Sequence, residues 1–452
     1  MVHQFRKHLA KPLVWSALAA SGWAVSLDPA SAQSLVEMVE LAQRFDAQWL
    51  SSRAALDAAE HKGAQAKSGL LPNVGAQAGA NYTRLRTHPN MPGMTEGMQQ
   101  QSVAVQATQP LFRPANTLTY QQGQRNTELA RAQLDAASQD LLVRVSKAYF
   151  DVLAAQDTLT TVQAQKRAVQ EQLEFAKRNF EIGAATITDT REAQARSDLV
   201  DAQEIAATND LQVKRLALEQ IVGKSPLSPH PLAQPVQLPD MLPADLNHWV
   251  SQAEGEQPVV RQALIALEIA ELETRKAETG HLPTVDLQAS YGIQRNPNGT
   301  TTIPVSNRIH QSQVGVTLNV PLFAGFAVQN RVKETLSLEE KARADLEHAR
   351  RSAAQAARQA YFGVQSGQGQ VRALEAAVAS SQSALEANQL GYQVGVRINA
   401  DVLNAQSQLY QAQRDLAQAR YNVLVGQLQL RQAAGLLQMQ DIYGINTLLS
   451  TP

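Results

Sequence analysis

The sequence predicts a mixed α and transmembrane β fold that is built from two duplicated halves. Three observations predict it: landmark residues recur about 211 positions later, short stretches alternate apolar and polar residues, and long Ala- and Gln-rich stretches keep a heptad of apolar positions. Each half then supplies two strands and one long helical hairpin. Because four strands cannot close a barrel and lipid does not tolerate an open sheet edge, several copies must contribute. Three copies would supply about twelve strands, and two would supply the minimum of about eight.

Residues 1–32 have the order of features found in a signal peptide. A basic start from Arg6 to Lys11 precedes an apolar run from Leu13 to Val25. Ala30–Ala32 then matches the small-x-small pattern that signal peptidase cleaves. The alternative is a buried amino-terminal helix. We expect an exported protein whose mature chain begins at Gln33.

Composition excludes several classes of function. The 452 residues contain no Cys, so disulfides, thiolate metal sites and cysteine nucleophiles are excluded. Forty basic residues against 41 acidic ones give a net charge of −1, which does not favour a nucleic-acid partner. The sequence has no HExxH, no Gly-rich phosphate loop and no GxSxG. We therefore expect no enzymatic activity, no cofactor and no metal centre, and any energy source must lie in another protein.

The internal repeat sets the predicted organisation of the chain. Its period is far longer than that of solenoid repeats and indicates a duplicated half-molecule. We predict a first repeat at 33–225, a Pro-rich linker at 226–256, a second repeat at 257–435 and a short tail at 436–452. The matched landmarks are Leu71–Val74 with Leu282–Val285, Pro110–Phe112 with Pro321–Phe323, Ala148–Phe150 with Ala360–Phe362, Gly183 with Gly395, Asp189 with Asp401, and Gly223 with Gly435.

Each half has the same predicted order of elements: helix, two strands, and a long hairpin that turns at a glycine. The first helix is predicted from about 35 to 70. Period-two alternation predicts strands at about 73–83, 102–111, 284–294 and 313–322, each long enough to cross a bilayer when tilted. The alternative for a single such segment is a water-soluble sheet with one wet face. Sustained heptads predict coiled-coil hairpins at about 116–222 and 327–434, with turns at Gly183 and Gly395.

Three segments within this organisation resemble the TolC family of outer-membrane efflux and type I secretion channels: Gly280–Thr284, Tyr392–Leu403 and Ile187–Asp189. The resemblance implies a homotrimer with a twelve-stranded barrel in outer-membrane lipid. That barrel would continue into a coiled-coil α-helical barrel in the periplasm. It also implies a passive exit duct of a tripartite efflux or type I secretion system, opened at its helical tip by an inner-membrane pump and a periplasmic adaptor protein.

The resemblance also implies functional residues at the tips of the hairpins. Its constriction positions include Asp401, where a trimer would place three like charges around one axis that could bind cations. The family prototype has a second acidic residue at the position of Asn404, so we predict a weaker ring and less cation block here. The remaining gate positions are Asp189, Thr188, Tyr392 and Arg397, and the adaptor-contacting positions are Gly183, Ala184, Gly395 and Val396.

Two alternatives remain for the tip residues and one for the function. Asp401 could be the N-cap of the returning helix, a position that Asp suits. A charge-assisted bond between Arg397 and Asp189 could hold two hairpins closed, or it could be a surface pair worth less than ~1 kcal/mol. The protein could also be a non-conducting structural or adhesive coiled-coil protein of the outer membrane. Matched hairpin tips favour the duct, but the sequence does not distinguish drugs, small solutes or proteins as its cargo.

Overall fold

A computed structural model describes residues 33–85, 97–300 and 303–450. The predicted signal peptide, residues 1–32, lies outside the described residues. Long helices account for most of the fold, and four strands form one sheet. The helices are α1 (Leu35–Phe45), α2 (Ala47–Ala66), α3 (Pro114–Glu181), α4 (Ile187–Val222), α5 (Leu246–Glu256), α6 (Pro258–Glu278), α7 (Ala327–Gln393), α8 (Asn399–Ala433) and α9 (Met439–Asn446). The strands are β1 (Asn73–Arg84), β2 (Gly97–Phe112), β3 (Thr284–Asn296) and β4 (Asn307–Asn319).

The sheet is antiparallel throughout, and its register collects the apolar residues on one face. Its strand order is β1-β2-β3-β4. Val105 lies between Ala76 of β1 and Tyr291 of β3, and Leu287 of β3 pairs with Val316 of β4. Since successive side chains alternate between faces, the opposite face is polar. Polar residues such as Gln101 and His310 join this face toward one end of the strands. The apolar residues of the face are Val74, Ala76, Ala78, Ala80, Tyr82, Val103, Val105, Ala107, Val285, Leu287, Ala289, Tyr291, Ile293, Val314, Val316 and Leu318.

Two strands begin earlier in the chain than their sequence pattern predicted. β2 begins five residues before the predicted position 102, and β4 begins six residues before position 313. Both extensions are paired, because Gly97 faces Arg84 and Asn307 faces Asn296. β4 ends at Asn319 rather than 322, just before Pro321, whose nitrogen cannot donate to a ladder. β1 and β4 remain the two edges of the sheet.

The two long hairpins are α3–α4, called the first hairpin, and α7–α8, called the second hairpin. The 68 residues of α3 span about 100 Å at 1.5 Å per residue. Buried apolar side chains recur along each pair at heptad spacing, among them Val162, Val169 and Ala176 in the first hairpin. Helices α3 and α8 also contact each other, so the hairpins lie side by side. None of the described helices is long and apolar enough to cross a membrane.

The amino-terminal helix of each half is broken in two, which the sequence analysis did not predict. Asp46 takes an extended backbone between α1 and α2, and its carboxylate accepts from the Trp49 amide at 2.7 Å. The second half repeats this break at Gln257, between α5 and α6. The predicted linker at 226–256 is therefore too long, because its last eleven residues form α5 and belong to the second repeat.

The linker and the carboxyl terminus pack together around the middle of the hairpins. The segment predicted as a short tail forms α9, and Leu449 then forms an isolated bridge with Leu232 of the linker. The buried Tyr149 hydroxyl of α3 donates to the backbone oxygens of Gln33 and His230. Burial raises the pKa of Tyr149, so its hydroxyl remains a donor. The largest apolar cluster of the described residues surrounds these contacts.

A charged cluster on Glu273 joins helices α3, α6 and α7. The Glu273 carboxylate accepts hydrogen bonds from Lys276 at 2.7 Å, Gln122 at 2.8 Å and Arg331 at 2.8 Å. Burial works to raise the pKa of Glu273, but the hydrogen bonds from Lys276, Gln122 and Arg331 outweigh it and lower that pKa from 4.5 to about 2. The ionised form of Glu273 therefore stabilises the packing of the three helices.

We predict that acid weakens this junction in a defined pH range. Because the folded-state pKa of Glu273 is lowered, its contribution is complete above about pH 4.5 and is lost as the pH falls toward 2. The expected loss is about 1 to 2 kcal/mol, since solvent screens part of each ion pair. Thermal unfolding followed by circular dichroism should decline less over this range in E273Q than in the wild type. E347Q, which affects an exposed pair within α7, is the control, and identical pH profiles for E273Q and the wild type would contradict the prediction.

Candidate gate at the helical tips

The two hairpins turn through the same backbone geometry. Gly183 and Gly395 have φ values of 75° and 79°, a region that L side chains enter only at a cost. In the first hairpin, the Ala184 amide donates to the Asn179 carbonyl at 2.7 Å. In the second, the Val396 amide donates to the Gly391 carbonyl at 2.9 Å. The duplication therefore includes the turns, and it places two equivalent loops at the ends of the rods.

Both turns present apolar side chains to solvent. Val396 is 75% exposed and Ile182 is 78% exposed, and Ala184 is also exposed. Exposed apolar residues that cluster at one end of a protein are typical of a contact surface for another protein. Gly183, Ala184, Gly395 and Val396, predicted as adaptor-contacting positions, all lie on this surface.

Asp189 closes the amino-terminal end of α4. Its carboxylate accepts from the Thr186 amide at 2.9 Å, and the Asp189 amide donates to the Thr186 hydroxyl at 3.2 Å. This reciprocal arrangement is a capping box, and it satisfies two backbone donors at the start of the helix. Thr188, predicted as a gate residue, lies exposed beside it. The carboxylate of Asp189 thus has partners within its own helix terminus.

The second tip lacks this cap, which leaves Asp401 available for other interactions. Helix α8 starts at Asn399, and Ile398 holds the N-cap position without a side-chain hydrogen bond. The alternative that Asp401 is the N-cap is therefore wrong, because Asp401 lies in the first turn of the helix. Its nearest cationic partner is Arg397, at 3.7 Å. Both side chains are more than a third exposed, so this pair is worth less than ~1 kcal/mol.

Arg397 and Asp189 are not paired within one chain. Arg397 instead faces Asp401, and Asp189 is engaged in its capping box. The predicted bond between Arg397 and Asp189 remains a prediction for contacts between neighbouring hairpins of different copies.

Tyr392 packs into the seam between the hairpins. Its ring meets Phe175 of α3 edge-on, with ring centroids 5.8 Å apart. Its buried hydroxyl approaches the Asn179 side chain without reaching hydrogen-bond geometry. Burial raises the pKa of Tyr392, and the negative charge of Asp189 adds to the effect. Tyr392 thus contacts the first hairpin through an apolar ring and holds a neutral hydroxyl near Asp189.

Two asparagines connect the hairpins at the tip. Asn399 has no exposed surface, and its side-chain oxygen accepts from Gln172 of α3 at 2.5 Å. Its amide nitrogen donates to the Asp189 carbonyl at 3.2 Å. Asn404, predicted at the constriction, accepts from Arg196 of α4 at 3.0 Å. The sequence pattern gave no sign of Gln172, Arg196 or the role of Asn399, although each lies close in sequence to a buried apolar position of its helix.

Further polar contacts follow the same seam away from the tip. Arg414 of α8 donates to Gln165 of α3 at 3.0 Å, and burial lowers the pKa of that arginine. Nearest the centre of the molecule, the buried Tyr421 donates to Asp157 at 2.7 Å. Burial also raises the pKa of Asp157. The seam is therefore anchored in the central core at one end and closed by Asn399 at the other.

The described residues contain no cluster of side chains arranged to bind a metal ion. Across 33–85, 97–300 and 303–450, no three His, Asp or Glu side chains converge as metal ligands would. An open cleft lies between α2, α3 and α6. Four acidic and four basic side chains line this cleft, so the charges in its wall balance. Arg125 pairs there with Glu128 and Glu268.

Comparisons with known proteins agree on one family. A family profile described as "Outer membrane efflux protein" matches residues 39–224 and 249–436. The chain is 33% identical over 415 residues to the outer membrane protein TolC of Vibrio cholerae, covering 92% of this chain and 93% of that protein. It is 32% identical over 432 residues to the proteases secretion protein PrtF of Dickeya chrysanthemi, covering 92% of each. The crystal structure of the Campylobacter jejuni CmeC outer membrane channel superposes with a TM-score of 0.78 at 15% identity, covering 98% of both chains.

Proposed function

We infer the function from one premise: this chain belongs to the outer membrane efflux protein family, whose profile matches both of its halves. The protein is an exit duct in the outer membrane that extends into the periplasm, and it serves efflux or type I secretion. The observation that carries this function is the sheet register, which gives one apolar face for lipid and one polar face for a water-filled interior. The duct itself is passive.

Three copies close the barrel. Within one chain β1 and β4 are unpaired edges of 12 and 13 residues, so β1 of one copy can pair with β4 of the next. Three such sheets give about twelve strands around one axis, with the apolar face turned outward to lipid. The hairpins of the three copies then continue this cylinder into the periplasm.

Single-channel recording tests the conducting function directly. Purified protein in a planar lipid bilayer should produce discrete current steps, because its interior is a continuous polar path. A non-conducting structural or adhesive protein would produce none. If correctly assembled trimers formed no channels, the proposal that the protein is a duct would be wrong.

The exposed tips are the contact surface for a periplasmic adaptor, which joins the duct to an inner-membrane pump. The apolar turns around Ile182 and Val396 support this assignment, since water leaves such surfaces when a partner binds. Because the chain contains no Cys, A184C or V396C gives a single site for crosslinking in whole cells. Recovery of an adaptor at these positions, but not from an A59C control on α2, would identify the partner.

The duct is held closed by bonds between neighbouring copies. Arg397 is 59% exposed and holds Asp401 only loosely, so it can reach Asp189 of the adjacent copy. Asp189 retains acceptor capacity in addition to its capping box. Within each chain, Tyr392 packs its ring against Phe175 and holds its hydroxyl near Asp189 of the same chain. Opening is a movement of the second hairpins that breaks these contacts.

Cation block provides a test of the constriction. Three copies of Asp401 around the axis would attract a trivalent cation, and we expect lanthanum ions on the tip side to reduce the current. D401N should remove most of this block, whereas N404D should strengthen it by adding a second ring of charge. D198N, at an exposed position of α4, is the control. Equal block of wild type, D401N and N404D would place the constriction elsewhere.

A further inference from the structure

We propose that Asn399 is a latch inside each chain, which fastens the tip of the second hairpin to the first and must release before the duct opens. This inference rests on the proposed function. Asn399 is fully buried at the start of α8, and its two polar groups are bonded to two different helices of the first hairpin. One side chain therefore couples α8 to α3 and α4 at the point where the hairpins must separate.

The surroundings of Asn399 make these two bonds costly to break. Close to it in sequence on α8, Leu403 packs against Leu173 and Ala193 of the first hairpin in an apolar cluster. A buried amide that loses its partners without gaining water is strongly unfavourable. The latch therefore favours two states: closed with both bonds made, or separated with the amide hydrated. Such an element gives a gate discrete positions.

The repeat shows that the fold does not require a polar residue at this position. The counterpart of Asn399 in the first half is Ile187, which starts α4 after an equivalent turn and is 50% exposed. An apolar residue therefore suits the backbone geometry of the tip. Ile187 is half-exposed, whereas Asn399 is buried with both of its polar groups bonded to the first hairpin, so the asparagine serves the contact between the hairpins rather than the turn.

The other contacts along the seam define how the hairpin would move. Tyr421 and Asp157 are held in the central core, where Tyr421 also stacks on Phe150 at 5.7 Å. Asn404 and Arg196, near the tip, form an exposed contact that contributes little. Release of Asn399 would let the tip end of α7–α8 move away from α3–α4, while the contact between Tyr421 and Asp157 stays in place.

Single-channel recording of two variants tests the latch. N399A removes both bonds, and Q172A removes one from a half-buried position that tolerates truncation. We expect N399A to raise the ratio of open to closed time about tenfold, as for the loss of buried hydrogen bonds, and Q172A to raise it less. The double variant should match N399A, because both substitutions remove the same contact. Q194A, which removes a bond within α4 near the same tip, is the control.

The possible outcomes distinguish failure of the proposed latch from failure of the proposed duct function. If no variant and no wild-type trimer conducts, the proposed function fails. If wild type conducts and both N399A and Q172A gate as wild type does, the latch is overturned while the duct stands. A third measurement restrains the two helices instead of weakening them: joining Q172C to N399C with a short crosslinker attached through disulfides should keep the channel closed until a reductant cleaves the disulfides. Free opening of the bridged channel would also overturn the latch.

Discussion

R113A is expected to destabilise the junction between the sheet and the helices by about 1 to 3 kcal/mol, because the Arg113 side chain is 43% exposed and solvent screens part of the pair. Arg113 lies between β2 and α3, and its guanidinium holds Asp286 of β3 through two parallel bonds, Nε to Oδ1 at 2.8 Å and Nη2 to Oδ2 at 2.6 Å. Only 6% of Asp286 is exposed. Removal of the arginine leaves a buried carboxylate without its cation, which costs more than the pair itself contributes.

Heat resistance of the purified trimer in detergent measures this effect. R113A should dissociate at a clearly lower temperature than the wild type. R113K should fall between them, since an ammonium cannot reproduce the two-pronged contact. The double variant R113A/D286A should recover part of the loss because it no longer buries a charge. R351A, from an exposed pair within α7, is the control, and an R113A trimer as stable as R351A would contradict the argument.

The sequence predicted the sheet closely because its signal is local. Alternation of apolar and polar residues depends only on neighbours in the chain, and the observed register confirms the faces that it predicted. The break at Asp46 has a local cause, the cap that its carboxylate forms on the Trp49 amide, and a distant one that the sequence could not show. The carboxylate of Asp46 is held by Arg144 of α3, which lies 98 residues away in sequence. The same kind of break at Gln257 made the predicted linker too long.

The tips show the same division between local and distant causes. Glycines at 183 and 395 indicated the turns, because a positive φ is a requirement of the turn alone. The partners of Asn399 could not be read from the sequence, since they lie on α3 and α4, about 227 and 210 residues away. The capping role of Asp189 was local, and a threonine three residues before it is the signal that could have revealed it.

Y392F and R397A together are expected to raise the resting conductance several-fold. Arg397 contributes the cation that we propose binds Asp189 of the adjacent copy. The buried Tyr392 hydroxyl lies near Asp189 of its own chain without a hydrogen bond, so R397A should account for most of the increase. Loss of both removes the charge-assisted contact between copies while leaving the edge contact of the aromatic ring with Phe175 in place. Recording in planar bilayers measures the change, and unchanged conductance would refute a gate built on these residues.

Two further sets of variants make the test of Y392F/R397A more specific: a control pair of the same residue types, and a combination with N399A. Y120F with R343A changes the same residue types on α3 and α7, where their side-chain bonds stay within one helix, and should leave the conductance unaltered. The bonds of Asn399 lie inside one chain, whereas the proposed bond of Arg397 crosses to the next. Both contacts involve Asp189, whose backbone oxygen accepts from Asn399 and whose carboxylate is the proposed partner of Arg397, so this combination measures how strongly they are coupled. Combining N399A with Y392F/R397A should open the channel more than either change alone, but by less than the product of the separate increases. A combined effect no larger than either alone would mean that the two sets of residues act as a single contact.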